Sequence, residues 1–463
     1  MRRLRLLGLG LLCCGLTGCP AAPPPSSAPP TPPPAAAGKT PPAQPEPVAD
    51  TKPESPPESP TNQPDDPALV AALEAERALV KRNDGGQIIA IEFPVPDVSL
   101  DTEDKARDFF QSIAGLKHLE SIQAAGPGIT DAAVEPITGM TTLTSINLLN
   151  ARIGDATVEK LAKLPKVARL YLRRSNLTDA SLDKIAGMKQ LKWLDLRYTN
   201  VTNAGIEKLT GLANLRELML RGADDVTDEG LKHVAKLKSL VRLNIWGERF
   251  TNAGVAELKD MKTLKVLEFD DIRLKDDGLL PLSGLTNLEE LSLERTRVRN
   301  ESLAALKHMP KMKKLNLRDT LATDAGLENI AGLTDLKVLD LSEGIFGDDG
   351  MKHLAGLANL EELSLWSTGV TDAGLEPIAG LTKLKKLNLQ KTRITDGALA
   401  KLAPLTELTE LVLSENEITP MALESIPQFG KLKLLKVENC FLISPSAIDE
   451  LRKKLPELKV IGP

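Results

Sequence analysis

Histidine, cysteine and aromatic residues are scarce in this 463-residue sequence. It contains four histidines, four cysteines, three tryptophans and two tyrosines, and aromatic residues make up 3% of the chain. It has no Cys-x-x-Cys pair and no G-x-x-x-x-G-K-[ST] phosphate loop. His233 and His353 share one position of a repeated pattern five copies apart, roughly 20 Å or more at ~4.8 Å per strand, too far to share a metal. No enzyme, catalytic residue, metal or cofactor is therefore predicted.

An excess of positive charge is also missing. The chain has 58 basic and 63 acidic residues and a formal net charge of -5. Because this balance is not typical of nucleic-acid-binding proteins, no nucleic-acid partner is predicted. Cys440 is the one cysteine beyond residue 19, so no disulfide is expected in the mature chain. Its slot holds Thr in most copies of the repeat described below, which favours a buried structural thiol.

The first residues have the pattern of a targeting segment. Arg2, Arg3 and Arg5 precede the apolar run 6–16, which is too short to span a membrane as a mature helix. The following Leu16-Thr17-Gly18-Cys19 resembles the lipobox of bacterial lipoproteins, with 1–18 as signal peptide. The resemblance implies that Cys19 becomes the acylated N-terminus. A lipid would then anchor the chain to the cell envelope, on the outer side of the cytoplasmic membrane or at the outer membrane. An ordinary secretory signal cut nearby is the alternative.

Proline separates this segment from the rest of the chain. Nineteen of the 33 prolines lie between Pro20 and Pro67, and residues 19–65 are predicted to form a disordered tether. Residues 66–100 are predicted to be an N-terminal cap. Its helix is expected to start at Asp66-Pro67 and to end at Asn83–Gly86. An edge strand is expected to follow from Ile88 to Phe93.

A 24-residue pattern organises residues 101–463. In the copy that starts at Leu360, the apolar positions Leu363 and Leu365 have strand spacing, whereas Leu375 and Ile378 have helix spacing. Each copy is therefore predicted to be a strand, a turn and a short helix. All steps are 24 residues except a step of 25 after Leu215 and a final 26. The first apolar position recurs at Leu119, Leu143, Val167, Leu191, Leu215, Leu240, Leu264, Leu288, Met312, Leu336, Leu360, Leu384, Leu408 and Leu432, with a truncated strand at Leu458.

This L-x-x-L-x-L pattern, followed by I-T-D-x-G-L, resembles the leucine-rich repeat family. The resemblance implies an α/β solenoid of about 14 repeats, with a curved parallel sheet on the concave side and short helices on the convex side. The pattern leaves open whether these helices are α or 3-10. A single copy cannot bury its own apolar surface, so stability is expected to come from stacking.

The polar positions of the repeat have predicted structural duties. In Thr178-Asp179 and its counterparts, Thr is expected to cap a helix and Asp to complement the positive end of that helix. Thr199 and its counterparts are expected to hydrogen-bond turn backbone. Gly187 and its counterparts are expected to close the helices.

The outward positions of the strands carry the unusual residues. They are the second, fourth, sixth and seventh after each first leucine, and they hold every Trp and Tyr of the chain. Arg173, Arg197 and Arg221 form one column in which like charges repel, and Asp195 and Glu217 are expected to offset part of that repulsion. Arg with Trp or Tyr is typical of binding hot spots. The predicted ligand-binding residues are Arg169, Tyr171, Arg173, Trp193, Arg197, Tyr198, Arg221, Trp246 and Trp366.

Together these observations predict an envelope-anchored, non-catalytic scaffold. Its concave face is expected to bind a protein or an envelope glycan, and its N-terminal lipid to bind the membrane. The alternative is a structural spacer or assembly component whose outward sheet residues are merely solvated.

Overall fold

The computed structural model describes residues 63–94 and 100–462. The predicted signal peptide, Cys19 and the tether up to residue 62 lie outside these residues. Within the described residues, no helix is both long and apolar enough to cross a membrane.

Seventeen strands in the described part of the chain form one open sheet in which each strand pairs with its neighbour in sequence. All pairs are parallel except the first, which is antiparallel. Strands β3 to β16 lie in the fourteen copies of the pattern. The strands are β1 (Leu79–Arg82), β2 (Ile88–Glu92), β3 (Ser121–Ala125), β4 (Ser145–Leu149), β5 (Arg169–Tyr171), β6 (Trp193–Asp195), β7 (Glu217–Met219), β8 (Arg242–Trp246), β9 (Val266–Asp270), β10 (Glu290–Ser292), β11 (Lys314–Asn316), β12 (Val338–Asp340), β13 (Glu362–Ser364), β14 (Lys386–Asn388), β15 (Glu410–Val412), β16 (Leu434–Lys436) and β17 (Lys459–Ile461).

The central residue of each short strand faces the interior. Leu170 pairs in register with Leu194, and Leu194 with Leu218, and all three are fully buried. The residues on either side of them point to the opposite face because side chains alternate along a strand. The predicted solenoid, a curved parallel sheet with short helices on its other side, is confirmed.

The helices are of both kinds. The α-helices are α1 (Pro67–Ala75), α2 (Glu103–Ile113), α3 (Asp155–Leu161), α4 (Asp179–Ile185), α5 (Asn203–Lys208), α6 (Asp228–Val234), α7 (Asn252–Ala256), α8 (Asn300–Leu303), α9 (Asp348–Met351), α10 (Asp372–Ile378), α11 (Gly397–Lys401), α12 (Pro420–Leu423) and α13 (Pro445–Lys454). The 3-10 helices are Glu135–Ile137, Leu209–Gly211, Glu257–Asp260, Leu280–Gly284, Ala304–His308, Asp324–Ile330, Lys352–Leu354 and Ile426–Gln428. A repeat of this length leaves room for one or two helical turns of either type.

Threonine performs both predicted duties. The hydroxyl of Thr199 donates to the carbonyl of Leu196 at 2.6 Å, and Thr296, Thr320, Thr368 and Thr392 make the same bond three residues back. The predicted helix caps form at Thr178, Thr227 and Thr371, whose hydroxyls accept a backbone N–H. Thr323 makes no such bond, and α11 starts after Asp396 rather than after Thr395.

The aspartate that follows each of these threonines has a role that its helix alone does not explain. Its carboxylate accepts the backbone N–H one repeat further on, as Asp179 does from Thr202 at 2.8 Å. We call this contact the inter-repeat clamp. The acceptor is a carboxylate oxygen in eight repeats and an asparagine amide oxygen in three: Asp131, Asp155, Asp179, Asn203, Asp228, Asn252, Asn300, Asp324, Asp348, Asp372 and Asp396.

The glycine three residues after the threonine, in T-D-x-G or T-N-x-G, makes room for the clamp. A Cβ on Gly205 would lie 2.2 Å from the Oδ1 of Asp179, and one on Gly254 would lie 2.2 Å from the Oδ1 of Asp228. Where Ser181 replaces glycine, its hydroxyl donates to the clamp carboxylate of Asp155. Burial opposes ionisation of Asp155, but the hydrogen bonds from Ser181 and Thr178 hold its pKa below the usual value.

Two joints in the series differ. Asp276 stands at the clamp position, but its backbone has a φ of 39°. Its carboxylate lies 3.6 Å from the Nε of Arg299, in an exposed ion pair, and makes no clamp bond within residues 63–94 and 100–462. The joint between the repeats that start at Leu264 and Leu288 therefore lacks the clamp. At the joint between the repeats that start at Leu408 and Leu432, the clamp position holds Pro420, which has no side-chain oxygen, so this joint lacks the clamp as well.

Every repeat turns from its strand through a left-handed residue. The seventh position after the first leucine has positive φ in all fourteen copies, including 57° at Tyr198 and 52° at Lys391. Glycine fills this position only at Gly126, Gly222 and Gly247. The glycines predicted to close the helices, such as Gly187, do not have positive φ, so the sharp turn follows the strand and not the helix.

The N-terminal cap differs from its prediction. Helix α1 ends at Ala75, and Leu79–Arg82 is a strand rather than a helical turn. Asn83–Gly86 is a hairpin turn, and β2 is an interior strand between β1 and β3 because β1 covers its outer edge. Asp65 accepts the N–H of Ile88 at 2.6 Å, so the end of the predicted tether packs on the cap.

Two register details correct or refine the sequence frame. Leu434 pairs with Lys459, so the last step is 25 residues and the predicted step of 26 is wrong. The bridge from Thr202 reaches Asp225, one residue further than the equivalent bridge from Thr251 to Arg273. The extra residue of the long repeat is therefore Asp224.

Cys440 is buried, and its thiol lies 3.3 Å from the Leu413 carbonyl. Burial raises the pKa of that thiol.

Candidate functional site

The outward face of the sheet carries all nine residues predicted to bind a ligand. Arg169 is exposed and the other eight are half-buried, whereas the strand residues between them, such as Leu170, are fully buried. The aromatic side chains of the predicted site are thus outside the hydrophobic core.

Tyr171 and Trp193 form an aromatic pair across two strands. Arg169 pairs with Trp193 and Tyr171 with Asp195 in the β5–β6 ladder. The ring centroids of Tyr171 and Trp193 are 5.4 Å apart, with an interplanar angle of 40°. Burial raises the pKa of the Tyr171 hydroxyl. The pair is an apolar platform on an otherwise polar face.

Arg197 is neutralised within its own repeat. Its Nε lies 2.9 and 3.0 Å from the two carboxylate oxygens of Asp195, and its Nη2 lies 2.5 Å from Oδ2. Asp195 is fully buried, and its hydrogen bonds raise the pKa of Arg197. The prediction that Asp195 offsets the arginine column agrees with this geometry.

Arg221 and Trp246 belong to a second, acidic network. Nη1 of Arg221 lies 3.4 Å from Oδ2 of Asp270, and the guanidinium carbon lies 5.6 Å from the Trp246 ring centroid. The indole N–H of Trp246 donates to Asp271, which also accepts Nε of Arg295 at 2.7 Å. Burial raises the pKa of Asp270, whereas the hydrogen bond from Arg295 lowers the pKa of Asp271.

Glu217 does not serve the arginine column, contrary to the prediction. Its Oε2 lies 3.3 Å from the Nε of Arg242, whose guanidinium also contacts Glu268 at 2.7 Å and Glu290 at 3.9 Å. Register explains this, since β7 places Glu217 directly beside Arg242 of β8.

Arg173 has a different environment from the other two arginines of its column. Its guanidinium carbon lies 5.3 Å from the Tyr198 ring centroid, and that of Arg174 lies 5.1 Å from the same centroid. Burial, followed by the nearby Arg197 and Arg174, lowers the pKa of Arg173. We call this region of the two repeats the arginine–aromatic patch: Arg169, Tyr171, Arg173, Arg174, Trp193, Asp195, Arg197 and Tyr198.

Trp366 lies far from the patch. Six strands lie between β6 and β13, the strand of its repeat. Its ring packs instead under Arg318, whose guanidinium carbon is 4.7 Å from the ring centroid. The structure therefore divides the predicted site into the patch, the acidic network around Trp246, and the isolated Trp366.

A cavity of about 450 Å³ adjoins the acidic network at the long repeat. It is lined by Asp224, Val226, Trp246, Gly247, Glu248, Arg249, Asp271 and Arg295. The extra residue Asp224 thus forms part of one wall of a recess beside the concave face.

Residue types limit the chemistry available on this face. Among the described residues, no group of three or more His, Cys, Asp or Glu side chains is arranged to hold a metal ion. The patch instead presents guanidinium groups and aromatic rings, which bind carboxylates and flat apolar groups without covalent chemistry.

Sequence reasoning placed Asp270 and Asp271 in an acidic part of the concave face, but it missed Arg174 as part of the patch. Arg174 occupies the seventh position, like Tyr198, so the signal for it was present in the outward pattern. The pairing of Asp270 with Arg221 spans two repeats and is not readable from adjacent columns.

Comparison with known proteins agrees with the repeat assignment. Residues 380–403 match the leucine-rich repeat family model. No curated protein matches the chain.

Several solved structures are similar to this chain. An internalin from Listeria monocytogenes is similar at a TM-score of 0.53 and 20% identity, over 79% of this chain and 92% of that chain. A leucine-rich repeat protein of Leptospira interrogans has a TM-score of 0.46 and 19% identity, over 85% of this chain and 98% of that chain. A plant peptide hormone receptor in complex with RGF2 has a TM-score of 0.46 and 18% identity, over 83% of this chain and 59% of that chain. The fold of this chain is a leucine-rich repeat solenoid.

Proposed function

We propose that this leucine-rich repeat chain is a non-catalytic, lipid-anchored scaffold of the bacterial cell envelope that binds a protein through its concave face. The observation that carries the proposal is the arginine–aromatic patch, in which three half-buried rings and four arginines lie together on the outward side of the repeats of β5 and β6. The fold itself supports the same role, because leucine-rich repeat domains commonly bind proteins.

The energetics of the patch support binding over simple solvation. Trp, Tyr and Arg are the residues most enriched in interface hot spots, since each buries a large area and keeps one polar group for a hydrogen bond. The paired rings of Tyr171 and Trp193 are held by two adjacent strands. A rigid platform of this kind loses little conformational entropy when a partner covers it.

The envelope location is supported by sequence alone. Leu16-Thr17-Gly18-Cys19 follows a basic and an apolar segment, and the proline-rich stretch after Cys19 could reach roughly 140 Å at ~3.1 Å per residue. Such a tether would hold the repeats away from the bilayer that carries the lipid.

A photo-crosslinking residue at Trp193 in the full-length chain tests the binding face in cells. The matched control places the same residue at Lys208, which lies on α5 with a half-exposed side chain. We expect a discrete protein adduct at position 193 and none at 208. No adduct at 193, or equal adducts at both positions, would favour the structural spacer.

Replacing Cys19 with serine tests the anchor separately. We expect the Cys19→Ser protein to leave the membrane fraction and to lack the lipid mass of the wild type. Unchanged membrane association with no lipid on the wild-type protein would overturn this part of the proposal.

A further inference from the structure

The positive charge of the arginine–aromatic patch is largely unmatched inside the protein. In residues 63–94 and 100–462, neither Arg169, Arg173 nor Arg174 has a carboxylate oxygen within 4.0 Å. Asp195 is the one acid among the eight patch residues, and Arg197 already occupies both of its oxygens. The patch therefore carries a net charge of about +3 at neutral pH.

Two donors of the patch also lack acceptors. The Nε of Arg173 and the Nε1 of Trp193 are shielded from solvent and form no hydrogen bond with any described residue. A covered donor without a partner has lost its hydrogen bond to water and gained none in return, which costs stability. A small side-chain rotation that gives these donors an acceptor from a ligand would remove that cost.

The neighbouring repeats show that this imbalance is local. Arg221, Arg242 and Arg295 lie on the same face, and each contacts at least one carboxylate of the chain itself. The unmatched arginines all belong to the repeat that starts at Val167. An external anion that binds at this repeat would pair with arginines that have no carboxylate partner. At the neighbouring repeats it would compete with ion pairs that already exist.

We propose that the patch binds an acidic segment of the partner protein, one that carries an aromatic or other apolar side chain near its carboxylates. This inference rests on the proposed function. The carboxylates would pair with Arg169 at one end of the patch and with Arg173 and Arg174 at the other. Arg169 and Arg173 are four residues apart, which is roughly 13 Å at ~3.3 Å per residue. The apolar side chain would lie on the Tyr171–Trp193 pair between these two points.

Other anionic partners fit less well. A bilayer is flat and cannot follow a concave sheet, so anionic lipid headgroups would not reach β5 and β6 together. A polyanionic glycan that ran along the solenoid would meet the carboxylates around Arg242, those of Glu217, Glu268 and Glu290, within a few strands. A short acidic peptide avoids that repulsion.

This proposal can be tested without knowledge of the partner by mRNA display. A random 12-residue peptide library is selected for binding to the full-length chain. We expect at least threefold enrichment of Asp and Glu over the input library, together with aromatic residues. The selected peptides should bind the Arg173→Glu variant at least tenfold more weakly. They should bind Arg216→Gln normally, because Arg216 is an exposed arginine outside the outward columns. Affinity should fall at least fivefold between 50 and 500 mM NaCl.

Three outcomes would overturn the acidic ligand. One is selection of peptides without acidic enrichment, and another is equal binding to wild type and Arg173→Glu. The third is binding of phosphatidylglycerol vesicles or polyglucuronate, but not of the peptides, that depends on Arg173. An adduct at position 193 together with any of these results would leave the proposed function intact and reject only the acidic chemistry. Absence of that adduct would reject the proposed function itself.

Discussion

The carboxylate of Asp179 accepts two hydrogen bonds from Thr202, one from its backbone N–H at 2.8 Å and one from its hydroxyl at 2.6 Å. The two residues belong to successive repeats, so the contact joins one turn to the next. We expect Asp179→Ala to lower the free energy of unfolding by about 1–3 kcal/mol, because Thr202 loses both acceptors. Denaturant unfolding monitored by circular dichroism measures the change.

Two further variants make that test specific. Asp183→Ala removes an exposed carboxylate of the same helix, 3.7 Å from Lys208, and should cost less than about 0.5 kcal/mol. Asp179→Asn should retain most of the stability, because Asn203 clamps Thr227 in the wild type. Equal losses in Asp179→Ala and Asp183→Ala would contradict the clamp.

Gly205→Ala should be destabilising because of Asp179. The added Cβ would lie 2.2 Å from the Asp179 Oδ1, and overpacking of this kind costs about 1–3 kcal/mol. In the Asp179→Ala background the same glycine substitution should cost clearly less, so the two changes should be non-additive. Gly380→Ala, where no atom lies within 4 Å of the new Cβ, is the matched control.

The left-handed turn predicts a dependence on side-chain shape at Lys391. Its φ is 52° and its side chain is exposed. Lys391→Val should lower the free energy of unfolding by about 1–2 kcal/mol, because a β-branched residue is strained there. Lys391→Gly should not. Arg393→Val, at an exposed extended position two residues later, should have little effect, and a comparable loss at both sites would show that φ is not the cause.

Arg173 and Arg197 should respond oppositely to the loss of charge. Arg197→Leu leaves the fully buried Asp195 without its partner and should destabilise the protein by about 2 kcal/mol or more. Arg173→Leu removes a cation that faces Arg174 and Arg197 and should leave the stability equal or slightly higher. Thermal and denaturant unfolding of the two variants distinguish these effects. A large loss in Arg173→Leu would show that Arg173 stabilises the fold rather than serving a ligand.

Glu289 should give the protein an acid-sensitive contribution to stability. It accepts hydrogen bonds from Lys265 at 2.7 Å and from Lys313 at 2.6 Å, which lower its pKa from 4.5 to about 2. Since the folded pKa is below the unfolded value, this stabilisation is present above about pH 4.5 and is lost as the pH falls towards 2. Both lysines are half-exposed, so salt should weaken it.

Unfolding at pH 5 and pH 3 measures this contribution. The stability difference between these two pH values should be smaller in Glu289→Gln than in the wild type. Glu424→Gln removes an exposed carboxylate that pairs with no cation in the described residues, and it should leave the difference unchanged. A side-chain carboxyl titration by NMR that places Glu289 near 4.5 would contradict the prediction.

The solenoid was predictable because each apolar position of the repeat has a single structural role. Leucines such as Leu363 and Leu365 report burial directly, and the repeat spacing reports stacking. The cap was less predictable, because Leu79–Arg82 has a composition compatible with a helix and becomes a strand only by pairing with β2. A local pattern cannot contain that tertiary contact.

The site shows the same division. The outward placement of Trp193 and Tyr171 follows from strand alternation and was predicted. The ion-pair partner of each charged residue was not predicted. Glu217 has arginines nearby in more than one column, and its pairing with Arg242 depends on the reach of the two side chains. The clamp was hidden for a related reason, since its two members stand 23 residues apart in sequence and meet only when the repeats stack.

Two joints of the array lack the clamp, one at Asp276 and one at Pro420. They divide the fourteen repeats into a group of seven that begins at Leu119, a group of six that begins at Leu288 and the last repeat at Leu432. A pull on the two ends loads every joint in series, and such an array opens first where the fewest bonds join neighbouring repeats. Tension would therefore open the solenoid at these two joints first, and the patch would stay intact in the first group.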